Sequence, residues 1–158
     1  MYDTIVFDGV YKSPVGWLGI RLQGNNLIEL DWLENGNSRK YLRSTNPVIK
    51  KITASLDAYF KTTSPQVIPP LSLTGTRFQQ RVWRALQKIP FGTVKTYGEL
   101  ATELNTSSRA IGQACRTNPI TILIPCHRVV AANGIGGYMG DARSSHIKQW
   151  LLHHEGIH

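Results

Sequence analysis

Apolar residues recur along this chain at two different periods, and the change of period divides it. Over residues 2 to 33, Ile5, Phe7 and Val10 stand among polar neighbours. Trp17-Leu18-Gly19-Ile20-Arg21-Leu22 then meets Leu27-Ile28-Glu29-Leu30-Asp31-Trp32 across Gly24-Asn25-Asn26. Short apolar runs of this kind predict strands, and the last pair reads as a β-hairpin on a Gly/Asn turn. After a polar loop, Ile49, Ile52, Leu56, Tyr59 and Phe60 follow Pro47 at helical spacing, which predicts an amphipathic helix of about four turns. The first part of the chain is therefore expected to be a small, β-rich α/β unit covering residues 1 to 72.

Pro65, Pro69, Pro70 and Gly75 mark residues 62 to 75 as a linker. The helical period takes over beyond it, in a second unit covering residues 73 to 158. Thr76 and Gln79 have capping-box spacing at the head of a helix that shows Phe78, Val82 and Leu86 on one face and stops at Pro90. Two short helices follow, over residues 97 to 104 with Leu100, Ala101 and Leu104 inward, and over residues 108 to 117 with Ala110, Ile111 and Ala114 inward. The polar turn Asn105-Thr106-Ser107 between them suggests a helix-turn-helix. Asn133-Gly134, flanked by Val129 to Ala132 and Ile135 to Tyr138, predicts a hairpin or wing. The run from His146 to His154 closes as a helix with Ile147, Trp150 and Leu151 inward.

Charge changes this picture more than composition does. With 41% hydrophobic and 18% charged residues among 158, the chain has ordinary globular composition. Residues 73 to 158 hold 10 Lys and Arg against 4 Asp and Glu, so they supply +6 of the formal +8. A basic half favours an anionic partner such as nucleic acid. No apolar stretch is long enough to span a bilayer, and no cationic amphipathic helix or lipidation motif points to a membrane surface. The first eight residues lack the basic region of a secretory signal. Only two cysteines, Cys115 and Cys126, are present, so thiols in a reducing, cytoplasmic setting are expected.

The candidate chemistry lies at Cys126. It follows the apolar stretch Thr121-Ile122-Leu123-Ile124 and Pro125, so the chain is expected to emerge there from a buried strand with the thiol at a core edge. A free thiol has a pKa of about 8.5 and needs a base or positive charge nearby to act as a nucleophile. His127 is adjacent, but neighbours in a strand point apart, so the pair needs a turn, a helix start or an intervening water. One Cys beside one His is also what a buried structural cysteine with an incidental histidine looks like.

The longer pattern is more specific. Asn118-Pro119-Ile120-Thr121-Ile122-Leu123-Ile124-Pro125-Cys126-His127-Arg128-Val129-Val130 closely resembles the active-site segment of the O6-alkylguanine-DNA alkyltransferases, also called methylated-DNA–protein-cysteine methyltransferases. The resemblance continues through Phe91-Gly92-Thr93-Val94-Lys95-Thr96-Tyr97, Ser108-Arg109-Ala110-Ile111-Gly112, Gly134-Ile135-Gly136-Gly137-Tyr138 and Trp150-Leu151-Leu152-His153-His154-Glu155-Gly156. These ordered blocks cover nearly all of residues 76 to 156. The first unit resembles the family only in its length and in Tyr11-Lys12-Ser13-Pro14 before a hairpin.

The resemblance implies a two-lobed α+β fold, with a ribonuclease H-like N-terminal lobe of structural role and a winged helix-turn-helix-like C-terminal lobe that binds DNA and carries out the transfer. It implies direct reversal of damage: Cys126 attacks the alkyl carbon on guanine O6, with O4-alkylthymine as a further candidate. A water relays the thiol proton to His127, Glu155 holds the imidazolium, and Tyr97 donates a proton to the leaving guanine. Each molecule would act once. The base must be flipped out of the stack, and Arg109 corresponds to the finger that replaces it, on a helix that enters the minor groove of double-stranded DNA. Ser108, Ala110 and Gly112 would lie against the duplex with Arg109 and Tyr97. Asn118 corresponds to the hinge between recognition helix and active-site segment. Cys115, Val129, Gly137, Tyr138, Met139 and Gly140 would line the alkyl pocket, with Met139 standing where some relatives carry Ser. Arg128 is expected to make a structural salt bridge. No metal and no cofactor are expected, since the histidines lack zinc-ligand spacing with cysteines, and a monomer is expected in solution. A cysteine hydrolase and a plain DNA-binding module stand as alternatives: the first lacks a family signature, and the second has no use for Cys126 or Glu155.

Overall fold

The computed structural model describes residues 7–33, 45–61, 68–136 and 145–158. The architecture mixes helices with small sheets: among the described residues there are five α-helices, a three-stranded sheet and a two-stranded sheet. The chain divides into two compact units, Met1–Leu73 and Thr74–His158.

In the first unit, β1 (Gly9–Ser13), β2 (Gly16–Gln23) and β3 (Asn26–Trp32) form an antiparallel meander in that order. The expected hairpin forms with a register shift between Arg21 and Leu22: Arg21 pairs with Glu29 and Leu22 with Leu27, leaving Ile28 as the extra residue. That shift puts Leu27 and Leu30, three residues apart, on the same buried face as Leu18 and Ile20. Helix α1 (Pro47–Lys61) covers this face with Val48, Ile52, Leu56 and Tyr59. Residues 1 to 6, which include Ile5, and the polar loop 34–44 lie outside the described residues.

The second unit is built around α2 (Arg77–Gln87), α3 (Tyr97–Glu103), α4 (Ser108–Arg116) and α5 (Ser145–His154). The first three helices each start on a hydroxyl cap. Thr76 and Gln79 form a reciprocal capping box on α2, Thr96 and Glu99 do the same on α3, and the Ser107 hydroxyl accepts from the Ala110 amide on α4. Val82, Trp83 and Leu86 are the buried face of α2, with Phe78 only half-buried. The Trp83 indole donates to the Ala114 carbonyl at 2.9 Å, tying α2 to α4.

Three local expectations are corrected. The stretch before Cys126 is a buried turn: the Asn118 side chain takes the Ile120 amide and the Ile124 carbonyl, which supplies locally what a strand ladder would otherwise provide. Ile122 sits there with φ +68°, a conformation costly for a β-branched residue, and is held by complete burial. The expected hairpin on Asn133-Gly134 is described only in part, since residues 137 and 138 of its far arm lie outside the described residues. Strand β5 (Val129–Val130) pairs in parallel with β4 (Lys95–Thr96), and the Asn133-Gly134 turn is closed by the single bridge between Ala131 and Gly134. In α5, Trp150 is only half-buried and stacks on His154 with ring centroids 5.1 Å apart, while Lys148 and Leu152 join Ile147 and Leu151 inside. Similarly, Ala110 is half-buried on α4, where Cys115 is buried beside Ile111 and Ala114.

Candidate functional site

Cys126 opens a 3-10 turn, Cys126–Arg128, that leads into β5. The turn follows directly from Pro125, and the amide of Cys126 donates back to the Ile124 carbonyl at 2.8 Å. All three turn residues are buried, with Cys126 3% and His127 0% exposed. Successive residues of a 3-10 turn are about 120° apart around the axis, so the thiol and the imidazole leave the same turn in different directions.

His127 meets Glu155, the residue just beyond α5. Its Nε2 lies 2.6 Å from Glu155 Oε2. A carboxylate accepts hydrogen bonds only, so Nε2 carries the proton in this contact and Nδ1 holds the basic lone pair. Glu155 is placed there because α5 ends at His154, and Gly156, whose φ of +88° suits glycine, turns the chain away. The same carboxylate receives the Gly92 amide and Arg128 Nε on Oε1, at 3.0 and 2.8 Å, and Arg128 Nη2 on Oε2 at 3.2 Å. Arg128 is itself fixed by donating Nη1 to the Ile89 carbonyl at 2.7 Å. Three segments distant in sequence thus converge on one buried carboxylate.

Burial would raise the pKa of Glu155, but hydrogen bonds and charge from His127 and Arg128 outweigh it and hold the carboxyl down at about 2. Burial pushes His127 below the ordinary histidine value; Glu155 opposes this, and the charges of Arg128 and Lys148 add to it. Burial thus favours the neutral imidazole, the form able to take a proton, while Glu155 favours the imidazolium that results.

A second cluster gathers around Tyr97, the first residue of α3. Burial raises its pKa, and the charges of Cys115 and Cys126 add to the effect, bringing it to about 12, so the phenol keeps its proton. Gly136 lies against this ring. A Cβ there would come within 3.1 Å of Tyr97 Cε2, and φ is +75°, so both the close approach and the backbone conformation call for glycine. Lys148 is buried beside the same ring, 0% exposed. Its ammonium donates to the Val129 carbonyl at 2.6 Å and stands 5.6 Å from the centre of the Tyr97 ring. Burial lowers its pKa to about 8, with the charges of Cys126 and Cys115 opposing. Burial pushes the Cys115 thiol well up.

Asn118 links the end of α4 to the cysteine turn. Its amide donates to the Cys115 carbonyl, its side-chain oxygen accepts from the Ile120 amide, and its Nδ2 donates to the Ile124 carbonyl at 2.8 Å. Ser108 and Arg109 are exposed at the start of α4, and a Cβ added at Gly112 would meet open space. Ala110 and Gly112 are half-buried on the same helix. Val129 is fully buried in β5. Gly137, Tyr138, Met139 and Gly140 lie outside the described residues. Lys148 was not anticipated from sequence. Its signal is a lysine on the apolar stripe of α5, followed by Leu151, Leu152 and Glu155 at positions three, four and seven.

A buried thiol, an imidazole backed by a carboxylate and a protonated phenol define a site for nucleophilic transfer to sulfur. The family model described as "6-O-methylguanine DNA methyltransferase, DNA binding domain" matches residues 77–157. The methylated-DNA–protein-cysteine methyltransferase of Saccharolobus solfataricus is 40% identical over 151 residues, covering 94% of this chain and 95% of the relative. That of Sulfolobus acidocaldarius is 34% identical over 149 residues, covering 94% and 92%. Among solved structures, the O6-methylguanine methyltransferase of Mycobacterium tuberculosis superposes with a TM-score of 0.79 at 36% identity, covering 94% of this chain and 92% of that one. The same organism's OGT in complex with DNA gives 0.80 at 35%, covering 96% and 92%. The chain belongs to the methylated-DNA–protein-cysteine methyltransferase family.

Proposed function

We propose that this protein repairs DNA by direct reversal, with Cys126 as the nucleophile that accepts the alkyl group of O6-alkylguanine and, by the same chemistry, of O4-alkylthymine. The observation that carries the reading is the 2.6 Å contact between His127 and Glu155 in the turn that bears Cys126. The thiol proton passes through a bridging water to His127 Nδ1, because the 3-10 turn directs the two side chains apart. Sulfur attacks the alkyl carbon, the carbon–oxygen bond breaks, and the electron pair leaves with the base. Tyr97 supplies a proton to that base, and the Glu155 carboxylate stabilises the imidazolium. The product is a thioether on Cys126, and no cofactor takes part. The protein is consumed by one transfer.

In this reading the N-terminal unit is a ribonuclease H-like structural lobe, and the C-terminal unit is a winged helix-turn-helix-like lobe. A monomer places α4 in the minor groove of double-stranded DNA, with Ser108, Ala110 and Gly112 against the duplex. Arg109 fills the stack vacated by the flipped base. Asn118 holds the pocket relative to α4, and Cys115, Val129, Gly137, Tyr138, Met139 and Gly140 line it. Two free cysteines suit the reducing cytoplasm. Among the described residues, no helix is long and apolar enough to cross a membrane.

The test is a duplex bearing O6-methylguanine. Mass spectrometry should find one added methyl on the Cys126 peptide, and repair should plateau at one lesion per protein molecule. Continued turnover at substoichiometric protein, or full activity in Cys126→Ala, overturns the mechanism.

A further inference from the structure

Helix α2 carries a basic face that the transfer reaction does not use. Arg77, Arg81, Arg84 and Lys88 are spaced four, three and four residues apart, so at about 100° per residue they fall within an arc of roughly 60°. All four are exposed. The middle of this arc is diametrically opposite Val82, Trp83 and Leu86, which face the core, so the stripe points straight into solvent. From residue 74 to residue 98 there are five basic residues and no acidic one. Of the ten Lys and Arg in residues 73 to 158, Arg128 and Lys148 are buried in the site, and half of the remaining eight stand on this one stripe.

Local helix energetics argue against such a face. Like charges at i, i+3 and i, i+4 repel one another, and Arg77 places a positive charge on the positive end of the helix dipole, with no acid in the first turn to offset it. Among the described residues, none of the four forms an ion pair with a carboxylate. Arg81 donates to the Leu104 carbonyl at 2.6 Å and Arg84 to the Gln80 carbonyl at 3.3 Å, so among the described residues only these two of the four have a bonded role. A polyanion laid along the stripe would relieve the repulsion and release counterions. The hydrogen bond from Arg81 to Leu104 sets the stripe beside the turn that leads into α4.

We infer that the Arg77, Arg81, Arg84 and Lys88 face of α2 is a second DNA-binding surface, which grips duplex phosphates outside the segment that α4 engages. The inference rests on the proposed DNA-repair reading. It adds sequence-independent holding of undamaged duplex, separate from lesion recognition, and implies that this face contributes to affinity and leaves the chemical step alone.

The test uses the full chain with Arg77→Gln, Arg84→Gln and Lys88→Gln combined; Arg81 is kept because it caps Leu104. A control triple, Lys50→Gln, Lys51→Gln and Lys61→Gln on α1, removes the same net charge from exposed positions elsewhere. Binding of undamaged duplex is followed by fluorescence anisotropy across salt concentrations, and single-turnover methyl transfer is measured at saturating lesion duplex. Each phosphate that the protein no longer neutralises should make the slope of log affinity against log salt shallower by about 0.9, so the α2 triple should lose about 2 to 3 from its slope. The control slope and both transfer rates should match the wild type. An unchanged slope in the α2 triple overturns the inference. So does an equal fall in the control, which would mean net charge alone, or a fall seen with RNA and not with duplex DNA. If the α2 triple does not fold by circular dichroism, the Arg84→Gln, Lys88→Gln double replaces it, with an expected fall of about 1 to 2. Failure of the wild type to methylate Cys126 would refute the proposed reaction, irrespective of the slopes.

Discussion

Replacing Glu155 by Gln keeps the size of the side chain and removes the charge on which His127 and Arg128 converge. The carboxyl is held from its ordinary 4.5 down to about 2; at about 1.4 kcal/mol for each tenfold in proton affinity, that is about 3 kcal/mol of native-state stability at neutral pH. An independent route gives the same size, because leaving a buried charge such as Arg128 without its partner costs about 3 to 5 kcal/mol. Since the folded pKa is depressed, this stability is fully present above pH 4.5 and is lost as pH falls from there through about 2. Gln resembles the protonated acid, so the gap between wild type and Glu155→Gln should be about 3 kcal/mol at pH 7, about half that at pH 3, and close to nothing near pH 2. Urea unfolding across that range measures it, and the melting point at pH 7 should drop by roughly 10 °C. Single-turnover transfer, followed by rapid quench, should slow by roughly 10² to 10⁴, because the imidazole loses the group that orients it. A gap that stays constant from pH 7 to pH 3, or a transfer rate within threefold of wild type, would refute the assignment.

Three further outcomes follow from the same geometry. Tyr97→Phe should slow transfer by roughly 10² to 10⁴ while duplex affinity changes little, since it removes a proton donor and keeps the ring; equal transfer rates would exclude the phenol as donor. Gly136→Ala, with its Cβ forced against Tyr97 at a φ of +75°, should cost roughly 1 to 3 kcal/mol by thermal melting and slow transfer as well. An unchanged melting point would contradict the close approach. Lys148→Met isolates a buried charge whose pKa is lowered from 10.5 to about 8. Between those values the unfolded chain binds the extra proton, so the penalty for burying the charge is complete below about pH 8 and gone above 10.5. The difference in stability should therefore move in favour of the wild type by about 3 kcal/mol over that window, and parallel pH profiles by urea unfolding would refute it.

The parts of this molecule that sequence made legible are those set by short-range chemistry. The Thr76 and Gln79 capping box, the hairpin across Gly24-Asn25-Asn26 and the short helices around Asn105-Thr106-Ser107 each follow from residues within a few positions of one another. Cys126, His127 and Glu155 were legible through a long ordered motif, whose spacing does not itself say that they meet. What escaped was decided at longer range. Thr121 to Ile124 have the composition of a strand, yet Asn118 satisfies this segment locally and it folds as a turn. Lys148 has the composition of a solvated helix residue, and only the packing of α5 on the cysteine turn and Tyr97 shows it to be buried. Trp150 falls with Ile147 and Leu151 on the inward face expected of the last helix, whereas stacking on His154 lets it stay half-buried.

The meeting of the residue 89 to 92 segment, the cysteine turn and the end of α5 at one carboxylate has a bearing on selectivity toward electrophiles. A thiol that can be used only once must not react with whatever alkylating agent diffuses past. On the proposed mechanism, the base that would awaken it is assembled from pieces far apart in sequence, and the sulfur beside it is almost wholly covered. On that mechanism an incompletely folded copy lacks the assembled base, whereas in the folded chain the sulfur is buried. The fold therefore works as an interlock, in which reactivity and shielding arise together and are lost together.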